Sequence, residues 1–210
     1  SHGTGGVVIF GGTDYRTDET FISYEVTKGG FGARPVKDGM NAVSTPIGNM
    51  MNTPVEILEM SFPLRVEEYA LVPDSGGAGK WRGGLGVRRT WRILKRDVHC
   101  ATCCERVLTP PFGQAGGKEG ATSRIDLELP DGTTRPIRGK GAFIAPAESR
   151  LVFHVAGAGG FGLPSERDPE LIRRDVAYGY VSEEAARRDY GENWGEAAGK
   201  SADEQPEAAE

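Results

Sequence analysis

The sequence has few cysteines, no long hydrophobic run and no excess of positive charge. Its three cysteines are an odd number, which argues against the paired disulfide framework of small exported domains. No apolar run approaches the roughly 18 residues of a membrane-spanning helix, and the first residues lack the basic and then apolar layout of a signal peptide. The 25 basic residues are outnumbered by 30 acidic ones, so no nucleic-acid-binding surface is indicated. These absences predict a cytoplasmic protein with neither membrane nor nucleic acid as a partner.

Glycine is the residue that the chain has in excess, at 31 of 210 positions. The glycines occur in scattered pairs, a distribution typical of tight turns and close backbone approaches. The densest stretch, residues 71–87, reads LVPDSGGAGKWRGGLGV and lies between two strand-like runs. Such a segment is either a phosphate-binding loop or a structural crossing between strands.

This central stretch departs from a phosphate-binding loop at both ends. Asp74 stands where that loop has its first glycine, and Trp81 stands where it has the hydroxyl that holds magnesium. No helical pattern follows Lys80, so the helix N-terminus that attracts phosphate would be missing. A structural crossing is therefore the preferred interpretation.

A second glycine motif, GAGGFG at residues 157–162, matches the dinucleotide-binding fingerprint and follows a predicted strand. That fingerprint needs its third glycine at the start of a helix, but Pro164 and Ser165 follow here. We interpret the motif as a structural turn or a substrate-facing loop.

Runs of β-branched and aromatic residues bounded by turn residues predict strands through most of the chain. The second of these runs has Ile22, Tyr24 and Val26 on one face, and we expect this apolar face to be buried. A PDGT turn at residues 130–133 predicts a hairpin. The predicted strands cover residues 5–10, 20–27, 64–72, 87–94, 98–107, 124–129, 134–137 and 151–155.

Three helices are predicted. Residues 52–61 (NTPVEILEMS) predict a short internal helix, with Asn52 or Thr53 as its N-cap and Pro54 at its first helical position. Two carboxyl-terminal helices are predicted from residue 168 to about residue 178 and from residue 182 onward.

The predicted fold class is α+β, with β-dominated, glycine-rich mixed or antiparallel sheets, one short internal helix and two carboxyl-terminal helices. The expected division is a β-rich region over residues 1–163, a helical segment over residues 164–194 packed on it, and a disordered acidic tail over residues 195–210. Because the chain starts without Met, at a glycine-rich turn, we expect it to be the later part of a longer polypeptide.

The three cysteines cluster behind an imidazole, as His99, Cys100, Cys103 and Cys104. A structural zinc site normally needs a second ligand pair, and none follows at a suitable spacing. On a strand, Cys100 and Cys104 share one face while Cys103 points to the other. We interpret them as reduced, mostly buried cysteines and predict no metal site.

Other polar residues flank the glycine-rich loops. His154 lies just before GAGGFG, where a catalytic imidazole would fit, although a hydrogen-bonded core or edge histidine is the commoner case. Glu25, Arg34 and Asp38 flank the first glycine loop, residues 28–39, and could bind a polar substrate. No complete catalytic constellation is present in the sequence, so the catalytic residues stay unknown.

Several blocks together resemble the hydantoinase B/5-oxoprolinase family. In the family's order they are GGFGARPVKDG, NTPVEILE, EEYALVPDSGGAGKWRGGLGVRRTWRIL, PPFGQAGGKEG and GAGGFGLPSERDPELIRRDVAYGYVSEEAARRDYG, and they span nearly all of residues 3–191. The resemblance implies the carboxyl-terminal portion of a B-type subunit. Its partners would be the missing amino-terminal part of that subunit and an ATP-binding A-type subunit.

Family members open cyclic amides such as 5-oxoproline or hydantoins by ATP-driven hydrolysis, and relatives carboxylate ketones such as acetone or acetophenone. The resemblance therefore implies part of an ATP-dependent cyclic-amide hydrolase with a small-molecule substrate. The alternatives are an ATP-dependent ketone carboxylase and, for the isolated chain, a non-catalytic assembly domain. ATP with Mg is expected mainly on the A-type subunit, and any divalent metal outside this stretch. The matching glycine loops contain the substrate-binding candidates Glu25, Arg34, Asp38 and Arg82.

Overall fold

The computed structural model describes residues 3–43 and 50–195. The strands and helices in these ranges are β1 (Gly5–Thr13), β2 (Thr20–Lys28), α1 (Val55–Ser61), β3 (Leu64–Leu71), β4 (Val87–Ile93), β5 (Val98–Cys103), β6 (Arg124–Glu128), β7 (Thr134–Ile137), β8 (Lys140–Ala145), β9 (Arg150–Val155), α2 (Pro169–Ala177) and α3 (Glu183–Tyr190). The β-dominated α+β class is confirmed, with one internal helix and two near the carboxyl terminus. No helix in the described ranges is long and apolar enough to cross a bilayer.

Two antiparallel sheets enclose the main core. The first sheet has the order β2-β1-β5-β8, and the second has the order β3-β4-β9-β6-β7. Phe10 of β1 contacts Trp91 of β4 with 5.5 Å between ring centroids, and Trp91 in turn contacts Phe153 of β9 at 6.2 Å. Burying each such side chain contributes about 1.5 to 3 kcal/mol. The contacts between these rings hold the two sheets face to face.

The strands largely follow the predicted runs, with three differences. Strand β1 continues three residues beyond the predicted end at Phe10, to Thr13. The run predicted as residues 98–107 ends as a strand at Cys103, because the chain then turns and the Cys104 N–H donates to the Gly139 carbonyl. Strand β8 was not predicted, since its Gly141 and Ala142 have low strand propensity. It forms because β5 offers a free edge to pair with.

The buried face of β2 is the opposite of the predicted one. Glu25 and Thr27 are buried, whereas Ile22 is 76% exposed and Tyr24 is 59% exposed. The reason is a partner on the facing sheet, since Arg89 Nη1 of β4 lies 2.8 Å from Glu25 Oε2. Period-2 alternation separates the two faces of a strand but does not show which one meets a buried cation.

The predicted N-cap of α1 was wrong, while its end at Ser61 is confirmed. Pro54 itself occupies the N-cap position, without a side-chain cap hydrogen bond. The Asn52 amide instead donates to the Tyr69 hydroxyl at 2.5 Å. Position 54 is therefore one step earlier in the helix than predicted.

Helices α2 and α3 are confirmed, and side chains cap both. Asp168 Oδ1 accepts from the Glu170 N–H at 2.9 Å, and Ser182 Oγ accepts from the Ala185 N–H at 3.1 Å. A second small core lies between them, formed by Ile172, Val181, Ala185 and Ala186. The division at residue 163 stays a prediction, and the predicted tail falls outside the described residues beyond Gly195.

The excess glycine is explained by four segments that pack backbone against backbone, which we call the glycine hub: residues 29–41, 75–86, 112–120 and 156–162. The Gly77 N–H donates to the Ala158 carbonyl at 2.8 Å, and the Ala158 N–H donates to the Gly84 carbonyl at 2.9 Å. A Cβ atom added at Gly83 would lie 1.9 Å from the Ala158 oxygen. Such contacts leave room only for glycine.

Candidate functional site

The central glycine stretch links β3 to β4 inside this hub. The N–H groups of Gly77 and of residues 80–86 donate to protein acceptors, as Gly83 does to the Gly77 carbonyl at 2.9 Å and Gly86 to Ser75 Oγ at 2.8 Å. A phosphate-binding loop needs several N–H groups free to converge on an anion. The arrangement is that of a structural crossing.

Two of the predicted substrate-binding residues meet in a buried ion cluster, which we define as Asp38, Arg82, Arg167 and Asp175. Arg167 forms a bidentate pair with Asp38, at 2.8 and 2.9 Å, and its Nη2 also lies 2.6 Å from Asp175 Oδ2. Arg82 Nε donates to the same Asp175 oxygen at 3.0 Å, and the Arg82 backbone N–H donates to Asp38 at 2.7 Å. The cluster therefore joins the first glycine loop, the central crossing and α2.

Burial and neighbouring charge shift the pKa of Asp38 in opposite directions. Burial alone would raise the pKa of Asp38, but the hydrogen bonds and charge of Arg167, with the Arg82 N–H, outweigh it and hold the pKa below its usual value. The side chains of Arg167 and Asp175 are 0% and 1% exposed. Charges this deeply buried persist because each one has a partner.

Sequence reasoning missed Arg167 and Asp175. A signal for the second residue was present, because Asp175 falls on the same helical stripe as Leu171, Ile172 and Val176, where an apolar residue is expected. A carboxylate at such a position indicates a buried cation. No comparable signal marked Arg167, which lies in the turn before α2.

Glu25 lies in the core between the sheets, away from the buried ion cluster. Burial raises its pKa, and the charge of Arg89 opposes that rise. The Arg89 guanidinium also lies 4.8 Å from the Trp91 ring and 5.2 Å from the Tyr69 ring, which is cation–π geometry. The carboxylate of Glu25 is therefore already paired within the protein.

Arg34, the fourth candidate, lies in the first glycine loop. Its backbone pairs with Lys37, and its guanidinium lies 5.6 Å from the Phe31 ring. Within the described part of the chain, Arg34 Nε and Nη2 have no hydrogen-bond partner. Both nitrogen atoms are buried, so they are not open to a ligand in this conformation, and the binding role of all four candidates stays a prediction.

A polar groove on the outer face of the second sheet contains His154. Two adjoining cavities of about 330 and 250 Å³ share Arg124 and His154 in their walls. The larger cavity is lined by Glu68, Arg88, Thr90, Arg124, Asp126, Glu128, Arg150, Val152 and His154. Its three arginines are balanced by three acidic residues, so the groove carries little net charge.

The groove offers hydrogen-bonding groups that the protein does not use fully. Burial lowers the pKa of His154, and the charges of Arg124 and Arg88 lower it further, so the imidazole is neutral near pH 7. Thr90 is 1% exposed, and its hydroxyl has no partner among the described residues. A neutral polar group such as an amide suits this lining better than an ion does.

The cysteines lie as the strand pattern predicts. Cys100 and Cys104 are buried, and Cys103 is exposed on the opposite face of β5. Burial raises the pKa of Cys100 to about 12. Across residues 3–43 and 50–195, no group of three or more His, Cys, Asp or Glu side chains is placed to hold a metal ion.

Comparison with known sequences shows similarity along most of the chain. An uncharacterised protein of Methanocaldococcus jannaschii is 37% identical over 190 residues, which cover 90% of this chain and 32% of that protein. Caprolactamase subunit beta of Pseudomonas jessenii is 33% identical over 77% of this chain and 29% of its own length. The 5-oxoprolinase of Dictyostelium discoideum is 36% identical over 69% of this chain, but only 11% of that protein is covered.

Carboxylase subunits are also among the relatives. The acetophenone carboxylase delta subunit of Aromatoleum aromaticum is 28% identical over 82% of this chain and 30% of its own length. The chain thus spans about a third or less of the curated relatives that it matches.

Two solved structures share the fold. The ATP-dependent caprolactamase of Pseudomonas jessenii matches with a TM-score of 0.75 and 27% identity, covering 88% of this chain and 33% of that one. Acetone carboxylase in its nucleotide-free form matches with a TM-score of 0.71 and 22% identity, covering 89% of this chain and 29% of that one. At that identity the second likeness concerns the fold alone.

A family model adds the remaining finding. The model described as Hydantoinase B/oxoprolinase matches residues 1–164, which include both sheets and the glycine hub. The chain therefore belongs to the hydantoinase B/oxoprolinase family.

Proposed function

We propose that this chain is part of the B-type subunit of an ATP-dependent enzyme that opens cyclic amides, of the 5-oxoprolinase or hydantoinase type. The observation that carries the proposal is the joint sequence and structural similarity to caprolactamase, whose subunit beta is 33% identical and whose structure matches at a TM-score of 0.75. The carboxylase relative is less similar, at 28% identity, and is the alternative.

In the proposed assembly, ATP with Mg binds mainly to an A-type subunit, and any further divalent metal lies outside this chain. The supporting observation is that the central glycine crossing uses most of its N–H groups within the protein. The remaining polypeptide of the B-type subunit is the second partner, and we expect the assembly to work in the cytoplasm.

We assign the polar groove around His154 as the place on this chain that receives the neutral ring of the substrate. A lactam offers one carbonyl acceptor and one N–H donor, and an imide offers a second carbonyl on the same N–H; a neutral imidazole and a threonine hydroxyl can each meet one of these groups. ATP-driven activation of the carbonyl oxygen would make the ring attackable. Hydrogen-bond donors aimed at the developing oxyanion stabilise it, and Arg88 and Arg124 are the candidates in this groove.

The test uses the assembled A-type and B-type subunits with ATP. We expect ADP release and ring-opened product with 5-oxoproline, a hydantoin or caprolactam, and no product with acetone or acetophenone plus bicarbonate. Product from a ketone instead would establish the carboxylase alternative. If none of these compounds led to release of ADP, both reactions would be ruled out.

A variant pair locates the substrate within the same assay. His154→Gln is expected to lower the ratio kcat/KM for the cyclic amide at least about tenfold, the loss expected for one buried hydrogen bond. Asp131→Asn, in the exposed hairpin turn of the same sheet, is the control and is expected to leave the ratio unchanged. An unchanged ratio in His154→Gln would place the substrate elsewhere.

A further inference from the structure

The outer face of the first sheet is apolar and uncovered, in contrast to its inner face. Strand register places its outward residues in three rows of four across β2, β1, β5 and β8. Lys140 is the one charged residue among these twelve positions, and it lies at the edge strand β8. The rows are Ile22, Gly11, His99 and Ile144; Tyr24, Ile9, Ala101 and Ala142; and Val26, Val7, Cys103 and Lys140.

Exposure at this face is high for large apolar side chains. Ile22 is 76% exposed, Tyr24 is 59% exposed and Ile144 is 50% exposed. A cavity of about 620 Å³ lies between Ile22 and Met60 of α1, which is itself 75% exposed, and its lining also includes Asp14, Arg16 and Glu19, so charged residues bound the apolar surface on that side. Contiguous apolar surface of this kind is typical of an interface and not of a face that stays in water.

The outer face of the second sheet is charged where that of the first sheet is apolar. It carries cross-strand ion pairs, with Arg150 2.6 Å from both Glu67 and Glu128, and Arg92 2.5 Å from Glu67. Both sheets belong to one chain with one composition. The difference between their outer faces therefore indicates that the first sheet is covered in the working protein.

The edge strands of the first sheet also indicate that this sheet is covered. β2 pairs only with β1, and β8 pairs only with β5, so each leaves one row of backbone groups without a strand partner in the described structure. An exposed apolar edge strand is a liability that proteins normally cover with further chain. Polypeptide that continues over this face would satisfy both the edges and the apolar side chains.

We propose that the outer face of the first sheet docks the polypeptide that forms the other two thirds of a B-type subunit. The length of the relatives supports this occupant, because the chain covers 32% of the Methanocaldococcus jannaschii protein and 33% of the caprolactamase chain. In both, about twice this chain's length is present beside the same domain. The inference rests on the proposed function as part of such a subunit.

The small number of charged residues on this face limits the kinds of partner that can bind it. With charge limited to Lys28 at the end of β2 and Lys140 on the edge strand β8, the face offers little to a nucleic acid, an anionic lipid surface or a highly charged peptide. An apolar protein surface with a few hydrogen-bonding edges is the complement that gains most from burial here. A second copy of this chain has the same apolar character, and its binding is one outcome that the experiment distinguishes.

The natural cysteines allow a direct test. Cys103 lies on the docking face and is exposed, whereas Cys100 and Cys104 are buried and act as internal controls. The 210-residue chain is co-expressed with the part of the Methanocaldococcus jannaschii relative outside the matching third, and in parallel with the corresponding part of caprolactamase subunit beta. Sedimentation reports complex formation, and the alkylation rate with N-ethylmaleimide reports the accessibility of Cys103.

We expect a one-to-one complex in which Cys103 is alkylated at least tenfold more slowly than in the chain alone. Tyr24→Lys is expected to abolish the complex, while circular dichroism shows that the chain still folds. Tyr178→Lys is the matched control, because Tyr178 is 64% exposed and lies far along the chain in the helical segment; it should bind normally.

Three outcomes would overturn the inference: no complex with either complement, a complex in which Cys103 stays fully reactive, or a dimer of the chain alone that Tyr24→Lys dissolves. The last result would assign the face to a second copy. No ATP or substrate enters this experiment, so its failure leaves the proposed reaction untouched. A complex with a protected Cys103 that formed no product in the separate assay with ATP and substrate would conversely count against the reaction and not against the docking face.

Discussion

At the scale of single residues, Arg167 is the side chain with the most partners in the buried ion cluster. It pairs with Asp38 and with Asp175, which it shares with Arg82, and its side chain is fully buried. Such an arrangement contributes little compared with an apolar core of the same shape, but removing one member leaves the others charged and unpaired. The cluster therefore makes the relative position of three segments specific.

The variant Arg167→Ala is expected to lower the free energy of unfolding by about 3 to 5 kcal/mol, because Asp38 loses its bidentate partner and the buried Asp175 keeps only Arg82. Urea unfolding followed by circular dichroism measures this change. Arg174→Ala is the control, since Arg174 is half exposed and lies 3.6 Å from the same Asp38. Its effect is expected to stay below about 1 kcal/mol. Equal losses in the two variants would contradict the role assigned to Arg167.

The lowered pKa of Asp38 predicts how the free energy of unfolding depends on pH. Its pKa in the folded protein lies below its ordinary value of 3.8, so its charged form stabilises the fold above pH 4. That contribution is lost as the pH falls below 3.8 and through the folded-state pKa. In Asp38→Asn, urea unfolding between pH 3 and pH 7 should show lower stability at pH 7 and a smaller decline toward pH 3.

The control for this pH series is Asp18→Asn, because Asp18 is 78% exposed and pairs with Arg96 only at the surface. Its unfolding free energy is expected to run parallel to that of the unsubstituted chain. The free energy of unfolding could instead fall toward pH 3 as steeply in Asp38→Asn as in the unsubstituted chain. Asp38 would then not be the residue responsible for this pH dependence.

At the scale of elements, the glycine hub does what side-chain packing does in an ordinary core. Its segments meet through backbone hydrogen bonds, and the distance between chains is too short for a Cβ atom. Gly83→Ala is expected to lower the free energy of unfolding by about 3 kcal/mol, the upper end of the overpacking range, because the neighbouring atom belongs to rigid backbone.

Gly12→Ala in β1 is the matched control for that prediction. A Cβ there would meet its nearest atom, on the Phe21 ring, at 3.5 Å, which is ordinary contact. Its effect is expected to stay within about 1 kcal/mol in either direction. If thermal and urea unfolding showed Gly83→Ala to be as stable as Gly12→Ala, the hub would have to be looser than the structure indicates.

At the scale of the whole molecule, ion pairs join the sheets to the helical segment, and separating the two parts would leave charged side chains without their partners. If α2 moved away, Asp38 and Arg82 would lose Arg167 and Asp175. We therefore expect one cooperative unfolding transition, with amide protons of α2 exchanging at nearly the same free energy as those of β4 and β9. Native-state hydrogen exchange measures this, and α2 exchanging several kcal/mol more easily would indicate an independent helical unit.

The fold class and most element positions were predictable because they depend on local pattern. The hairpin at residues 130–133 and the helices after residue 168 follow from turn residues, caps and apolar spacing, and the structure has them. The strand β8 was missed because Gly141 and Ala142 have no local preference for a strand. A neighbouring edge supplied that preference.

The candidate site was less predictable. Glycine-rich loops drew attention to Asp38 and Arg82, and the structure brings these two together, but through Arg167 from more than 80 residues along the chain. The groove around His154 is assembled from β3, β4, β6 and β9 by cross-strand register. No spacing within one segment encodes that register.

By itself, the sequence determined the family, the β-dominated class and the fact that the central glycine stretch is not a phosphate-binding loop. Those conclusions rest on residue identity and local conformational preference, which need no partner segment. Only the tertiary structure decided which face of β2 is buried, because that choice depends on Arg89 of the opposite sheet. The same long-range pairing left Ile22 and Tyr24 outside, and so created the docking face.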